Sequence, residues 1–232
     1  MSRVVVVTGA SKGIGACISK MFLECGDVVV GLSSSLKNIE ALKMSDRVFE
    51  SERFVGGECD VSSSGAIEEL FEKIAHQYGH IDVLINNAGW VDPVGILEME
   101  LDNWDKTIAV NLTGVFLCTK SVVRYMRNMN GVILNIASTA GMSARPGWSA
   151  YAASKAAVIN FSITMAEELE EYGIRVLALS PGRTATELRK KLAPDEDQSL
   201  ILQPEQIANT VKFLCSEEGR FITGQNIEIR KR

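Results

Sequence analysis

A tyrosine and a lysine four residues apart, Tyr151 and Lys155 in SAYAASKAA (149–157), form the pair in this chain best suited to moving a proton. On a helix that spacing stacks both side chains on one face, and the small residues around them leave it open to a ligand. A phenol alone titrates near ~10 and serves poorly as acid or base at neutral pH. A cation beside it favours the phenolate and should lower that value. Ser138, thirteen residues before Tyr151, offers a hydroxyl to an oxygen on which negative charge develops. Alone, the tyrosine and lysine read as an ordinary surface pair. With Ser138, Asn111 and a glycine turn in register, they read as machinery for carbonyl chemistry.

The glycine turn lies at the other end of the chain. VVVVTGASKGIGA sets Gly9, Gly13 and Gly15 between an apolar strand and a helix. Such a turn lets the backbone approach a pyrophosphate, whose charge faces the helix N-terminus. A P-loop counted from Gly9 would need glycine followed by lysine, and Ile14 stands at the glycine's place. The second strand bears on which dinucleotide is held. NAD-preferring sites offer a carboxylate about 20 residues on; here Leu32 occupies that place in VVVGLSSS and no acid follows until Glu40. Ser33, Ser34 and Ser35 can donate hydrogen bonds and Lys12 can add charge, which favours the 2′-phosphate of NADP(H).

Strand-length apolar runs at 3–8, 27–32, 53–59, 81–86, 131–137, 174–180 and 225–230 alternate with helical patterns. The helical stretches are 13–25, closed by Gly26, then 64–79, 101–128, 149–173 and 204–215. Gly26, Gly79 and Gly173 fall where helix ends want a left-handed residue. Strands without in/out alternation, joined through helices, indicate an α/β, doubly wound (Rossmann) seven-stranded parallel sheet covered on both faces. With 232 residues and no linker or repeat, one catalytic domain spanning 1–232 is expected.

The bulk numbers exclude other classes. A net charge of −5 argues against nucleic acid, and the short basic tail Arg230, Lys231 and Arg232 reads as a solvated end. No apolar run reaches membrane-spanning length. Five dispersed cysteines without a C-x-x-C pair point to reduced thiols in a cytoplasm. His76 and His80, the only histidines, have no sequence neighbours to make a metal site. Asp92, Glu98, Glu100 and Asp102 read as a loop and helix start, and Trp90 and Trp148 as core or as pocket walls.

In order along the chain, TGASKGIG, CDV (59–61), NNAG (86–89), AVNLTG (109–114), LNIASTAG, YAASK and SPGRTATE (180–187) resemble the motifs of the short-chain dehydrogenase/reductase family. The resemblance covers essentially the whole chain. It implies a catalytic set of Asn111, Ser138, Tyr151 and Lys155, with Lys155 also on the nicotinamide ribose and Asn111 holding a water that links Lys155 to solvent. It implies that the cofactor lies along Gly9, Ser11, Lys12, Gly13, Ile14 and Gly15, then Ser33 and Ser34. Asp60 and Val61 would take the adenine, and Asn87, Ala88 and Gly89 would follow. Tyr151, Lys155, Pro181, Gly182 and Thr184 would lie at the nicotinamide end.

The expected function is an NADP(H)-dependent ketone reductase, reversible as a secondary-alcohol dehydrogenase, acting on a small carbonyl or alcohol and assembling as a homotetramer or homodimer. Reduction of a β-ketoacyl group on a carrier protein is the alternative, with Arg124, Arg127 and Arg145 as candidates for a docking face. A dinucleotide sensor with idle chemistry is the reading from another class, and an intact set of four argues against it. Two stretches depart from the family pattern. The chain ends ITGQNIEIRKR rather than in Asp-Gly-Gly, and Leu188 to Gln203 looks like a short lid running directly into the next helix.

Overall fold

The computed structural model describes residues 2–126 and 130–231. The seven apolar runs become β1 Val4–Thr8, β2 Val28–Ser33, β3 Phe54–Glu58, β4 Val83–Asn86, β5 Val132–Ile136, β6 Arg175–Pro181 and β7 Asn226–Ile229. They form one sheet in the order β3-β2-β1-β4-β5-β6-β7, with every pair parallel. Parallel strands need crossovers, and helices supply them on both faces. The valines of β1 show the division. Val5 and Val7 pack with Ile18 and Phe22 of α1 (Gly13–Glu24) and with Ile207 and Val211 of α8 (Pro204–Leu214). Val4 and Val6 pack with Ile67 and Phe71 of α3 (Ser64–Tyr78) and with Val122 of α5 (Gly114–Met126). Buried on two faces, the strand has no polar side.

Gly26, Gly79 and Gly173 take φ of 87°, 81° and 70°, the left-handed ends expected of them. Three helical features depart from the sequence expectation. A helix α2, Leu36–Ser45, follows the serines where only a loop was expected. The 101–128 stretch is not one helix: α4 (Leu101–Ile108) passes through a π turn, Ala109–Thr113, into α5. Asn128, its expected end, lies outside the described residues. The expected short lid carries a helix of its own, α7 (Glu187–Leu192), whose Arg189 is clamped to Glu196 at 2.6 Å. The helix bearing Tyr151, α6, runs Ser149–Glu168. Glu100 stands at the N-cap position of α4, without a side-chain cap bond, and Asp102 sits in its first turn, the helix start that the acidic stretch was read as.

At the β1/β4 junction the connections diverge to opposite sides, which opens a crevice beyond the strands' C-terminal ends. The glycine turn, NNAG, Ser138 and the 180–187 loop all leave the sheet at that end.

Candidate active site

The turn after β1 is locked before any ligand arrives. Asn87 Nδ2 donates to the carbonyls of Thr8 at 3.0 Å and Gly9 at 3.1 Å, while the amides of Asn87 and Ala88 both donate to Thr8 Oγ1 at 3.0 Å. A side chain at Gly9 would meet Ala88 Cα at 2.9 Å, and one at Gly15 would meet the Gly9 carbonyl oxygen at 2.2 Å. Gly15 is thus a packing residue that lets α1 start against the turn. Gly13, at φ 55°, opens that helix. The first turn of α1 holds no acid and its N-cap, Lys12, makes no side-chain cap bond. A phosphate finds uncapped amides and a favourable dipole there.

A cleft of about 930 Å³ runs from this turn to Tyr151. It is lined by Ser11, Lys12 and Ile14, by Ser33 and Ser34, by Asp60 and Val61, and by Asn87, Ala88 and Gly89. At the far end stand Ser138, Tyr151, Lys155, Pro181, Gly182 and Thr184. Gly15 and Asn111 lie behind this lining. Sequence reasoning did not find Asn38 of α2, Lys106 of α4 or Leu188 of α7, nor Ser62, Val91 and Thr186 from the loops, all of which also face the cleft. Trp90 is a wall, with Lys106 Nζ 4.7 Å from its ring centre. Trp148 instead packs edge-on against Tyr151, ring centres 5.7 Å apart.

Leu32 is not the residue that meets a ribose. Its side chain is 1% exposed and packs with Val6, Val30 and Phe71 in the core. The last residue of β2, Ser33, points to the cleft and its hydroxyl donates to Ser11 Oγ at 3.2 Å. The side chains that line the cleft at this end are therefore Ser33, Ser34 and Lys12.

At the catalytic end, burial raises the Tyr151 phenol above its ordinary value. A hydrogen bond with Ser138 and the positive charge of Arg145 pull it back down. Lys155 is not the charge that does so here. Its ammonium is tied to the Ile136 carbonyl at 2.7 Å, lies 5.7 Å from the Tyr151 ring centre, and is only 4% exposed. Desolvation lowers it to about 8. Asn111 sits in the π turn, wholly buried, with its amide committed. Nδ2 donates to the Trp90 carbonyl at 2.9 Å and Ser154 Oγ at 3.1 Å, and Oδ1 accepts from the Trp90 amide at 2.7 Å. A water relay through Asn111 must use its main chain, because its side chain holds the loop after Gly89.

A glycine turn and a tyrosine–lysine helix, far apart in sequence, thus open into one cleft at a topological switch point. A profile of the short chain dehydrogenase family matches residues 3–197. The chain belongs to that family. It is an oxidoreductase of carbonyl and alcohol groups, and its relatives share nearly its whole length. The 3-oxoacyl-acyl-carrier-protein reductase FabG of Thermotoga maritima is 37% identical over 241 residues, covering 98% of this chain and 96% of the relative. FabG of Escherichia coli is 33% identical over 236 residues, covering 98% and 95%. Among solved structures, an actinorhodin polyketide ketoreductase with NADPH superposes with TM-score 0.91 at 28% identity, covering 99% of this chain and 96% of the other. ElxO with NADP bound gives TM-score 0.90 at 30% identity, covering 99% and 97%.

The residues fit the dinucleotide such short-chain dehydrogenases carry. The uncapped start of α1 suits its phosphates, Asp60 lies at one end of the cleft, and Gly89 brings the backbone beside Lys155 at the other. A Cβ at Gly89 would come to 4.0 Å from Lys155 Nζ.

Proposed function

We propose that this enzyme reduces a ketone to a secondary alcohol with NADPH, with residues 1–232 acting as one catalytic domain. The observation that carries the reading is the joint lining of one cleft by the glycine turn, Ser33 and Ser34 at one end and Ser138, Tyr151 and Lys155 at the other. When bound, NADPH supplies the hydride. Tyr151 donates the proton to the carbonyl oxygen as hydride arrives, and the Ser138 hydroxyl holds that oxygen where charge develops. Lys155, held by the Ile136 carbonyl, would bind the nicotinamide ribose. Asn111 fixes the loop after Gly89 through Trp90 and reaches the Lys155 helix through Ser154. Lys12, Ser33 and Ser34 favour the 2′-phosphate, through one cation and two hydroxyl donors.

Reduction of a 3-oxoacyl group on an acyl carrier is a second reading, favoured by relatives named for that activity. Its docking face would rest on Arg124, exposed on α5, on Arg145, and on Arg127, which lies outside the described residues. A catalytically idle sensor has no use for a buried lysine and tyrosine in register.

A homotetramer, or a homodimer, is supported by apolar side chains left open on the α4, α5 and α6 surfaces: Trp104, Phe116 and Ile163. Five free cysteines support a cytoplasmic site of action. No described helix is long and apolar enough to cross a membrane.

Tyr151→Phe keeps the ring and removes the proton donor. It should lower kcat by at least ~10²-fold while NADPH affinity, read by fluorescence, stays within a few-fold. The assay is NADPH absorbance over a panel of free ketones and carrier-borne 3-oxoacyl groups. Turnover by the variant at the wild-type rate would remove Tyr151 from the chemistry.

A further inference from the structure

Beside the cleft lies a second, smaller cavity of about 270 Å³, lined by Thr139, Ser143, Arg145, Gly182, Arg183, Leu200, Ile201, Arg230 and Lys231. Gly182 lines both spaces, so the annex neighbours the cleft at the end where Tyr151 and Lys155 stand. Four cations and, among the described residues, no carboxylate line it, in a chain whose net charge is −5. Two of the cations are already paired. Arg183 contacts Glu196 at 2.8 Å, a carboxylate it shares with Arg189, and Arg230 pairs with Glu228. Lys231 donates to the Ser199 carbonyl at 2.6 Å, with the Asp197 charge nearby. Arg145 is half-buried and, among the described residues, has no ion-pair partner. Thr139 and Ser143 add hydroxyls, although Ser143 donates its own to the Thr139 carbonyl at 3.0 Å.

The loop carrying Arg145 is held in place. Its carbonyl accepts from the Trp148 amide at 3.0 Å, Val94 donates to the Gly147 carbonyl at 2.8 Å, and Trp148 packs on Tyr151. The guanidinium is close enough to the phenol to draw its titration downward. A half-buried arginine without a carboxylate is costly unless an anion completes it. Of the tail read as a solvated end, Arg230 and Lys231 are exposed, as expected, and also line the annex, while Arg232 lies outside the described residues.

We propose that the annex is a subsite for an anionic group of the substrate, a carboxylate or phosphate a few bonds from the reacting carbonyl, with Arg145 as its principal anchor. The proposal rests on the reductase reading above and names its substrate class: a small keto acid or keto phosphate. At about 30 Å³ per water, the space holds such a group with a few carbons, not a long acyl chain.

The test compares kcat/KM for acetoacetate against methyl acetoacetate, and for dihydroxyacetone phosphate against dihydroxyacetone. Wild type, Arg145→Gln, Arg145→Lys and Lys231→Gln are each measured. Arg145→Gln is expected to lower the anion-to-neutral ratio of at least one pair by tenfold or more, chiefly through KM. Arg145→Lys recovers part of it, and Lys231→Gln lowers it less. Which pair responds tells carboxylate from phosphate. A second measurement reads binding without turnover: calorimetric titration of each anion into the enzyme–NADP⁺ complex, with affinity weakened at least tenfold by Arg145→Gln. Ratios and affinities unmoved by both Arg145→Gln and Lys231→Gln overturn the subsite. So does a carrier-borne ketone reduced far better than either anion, with no dependence on Arg145. Arg145-dependent anion binding with no ketone reduced leaves the subsite standing and sinks the reductase reading instead.

Discussion

Lys155 is a buried cation whose one recorded hydrogen bond is to a carbonyl, and its titration has a consequence for stability. Its folded value is about 8 against an ordinary 10.5. Between those values the unfolded chain holds the proton and the folded chain does not, so stability rises with pH through that window. The cofactor-free Lys155→Met protein should therefore be the more stable one at neutral pH. Its advantage should shrink by roughly 2–4 kcal/mol as pH climbs through the window, read by urea denaturation at each pH. A constant gap would mean that the lysine is not desolvated. The β2 end gives a second residue-scale prediction. Ser33→Asp sets a carboxylate in the cleft, where it repels a 2′-phosphate and accepts from a 2′-hydroxyl. The NADH-to-NADPH ratio of kcat/KM should rise ten- to a hundredfold, about 1–3 kcal/mol. Leu32→Asp should instead cost at least ~3 kcal/mol of folding stability, because its carboxylate would be buried among Val6, Val30 and Phe71 without a partner. The one-residue error behind the Leu32 expectation is instructive. VVVGL is apolar throughout because both faces of the sheet are covered, so the sequence carries no alternation from which to read which way a side chain points.

At the scale of elements, the glycine turn and α1 are held by contacts that only a missing Cβ permits. Gly15→Ala would push a methyl to 2.2 Å from the Gly9 carbonyl oxygen and should abolish NADPH binding, with a loss of several degrees in Tm. Gly65 in α3 has nothing within 4 Å of its would-be Cβ, so Gly65→Ala should stabilise by about 0.5–1 kcal/mol. Calorimetry on the two alanine variants separates a glycine required by space from one that is not. The strands were legible because valine and isoleucine runs of the right length leave little choice. α2 was not, since it follows three serines and buries only Ile39 and Leu42. α7 was not, since ELRKKL buries nothing and is held by its Thr186 cap and the Arg189–Glu196 clamp. The π turn at Asn111 left no mark either, because one extra residue in a helix changes hydrogen bonding without changing composition. The tyrosine, lysine and glycine motifs were legible because their chemistry demands particular residue types. The annex was not, since it joins Arg145 to a tail 85 residues further on.

For the whole molecule, Phe116 at 44% exposed and Ile163 at 39% lie on surfaces whose helices already cover the sheet with their other sides. A symmetric partner would bury them. Phe116→Glu with Ile163→Glu should shift the species seen by light scattering to a smaller one at micromolar concentration, while NADPH binding persists. A wild-type monomer would refute the assembly. The order of the sheet has one more consequence, which concerns time. All pairings but one join strands that follow each other along the chain; the exception is β1 with β4. As the polypeptide leaves the ribosome, β1, β2 and β3 can form a leaf on their own. Until residue 86 has emerged, that leaf has an open edge made of VVVVT, a hydrogen-bonding template of aliphatic residues with no charge to blunt it. The seam that later holds the dinucleotide is thus the place where a nascent chain is most exposed to aggregation, and slow translation across residues 59–86 would lengthen that exposure.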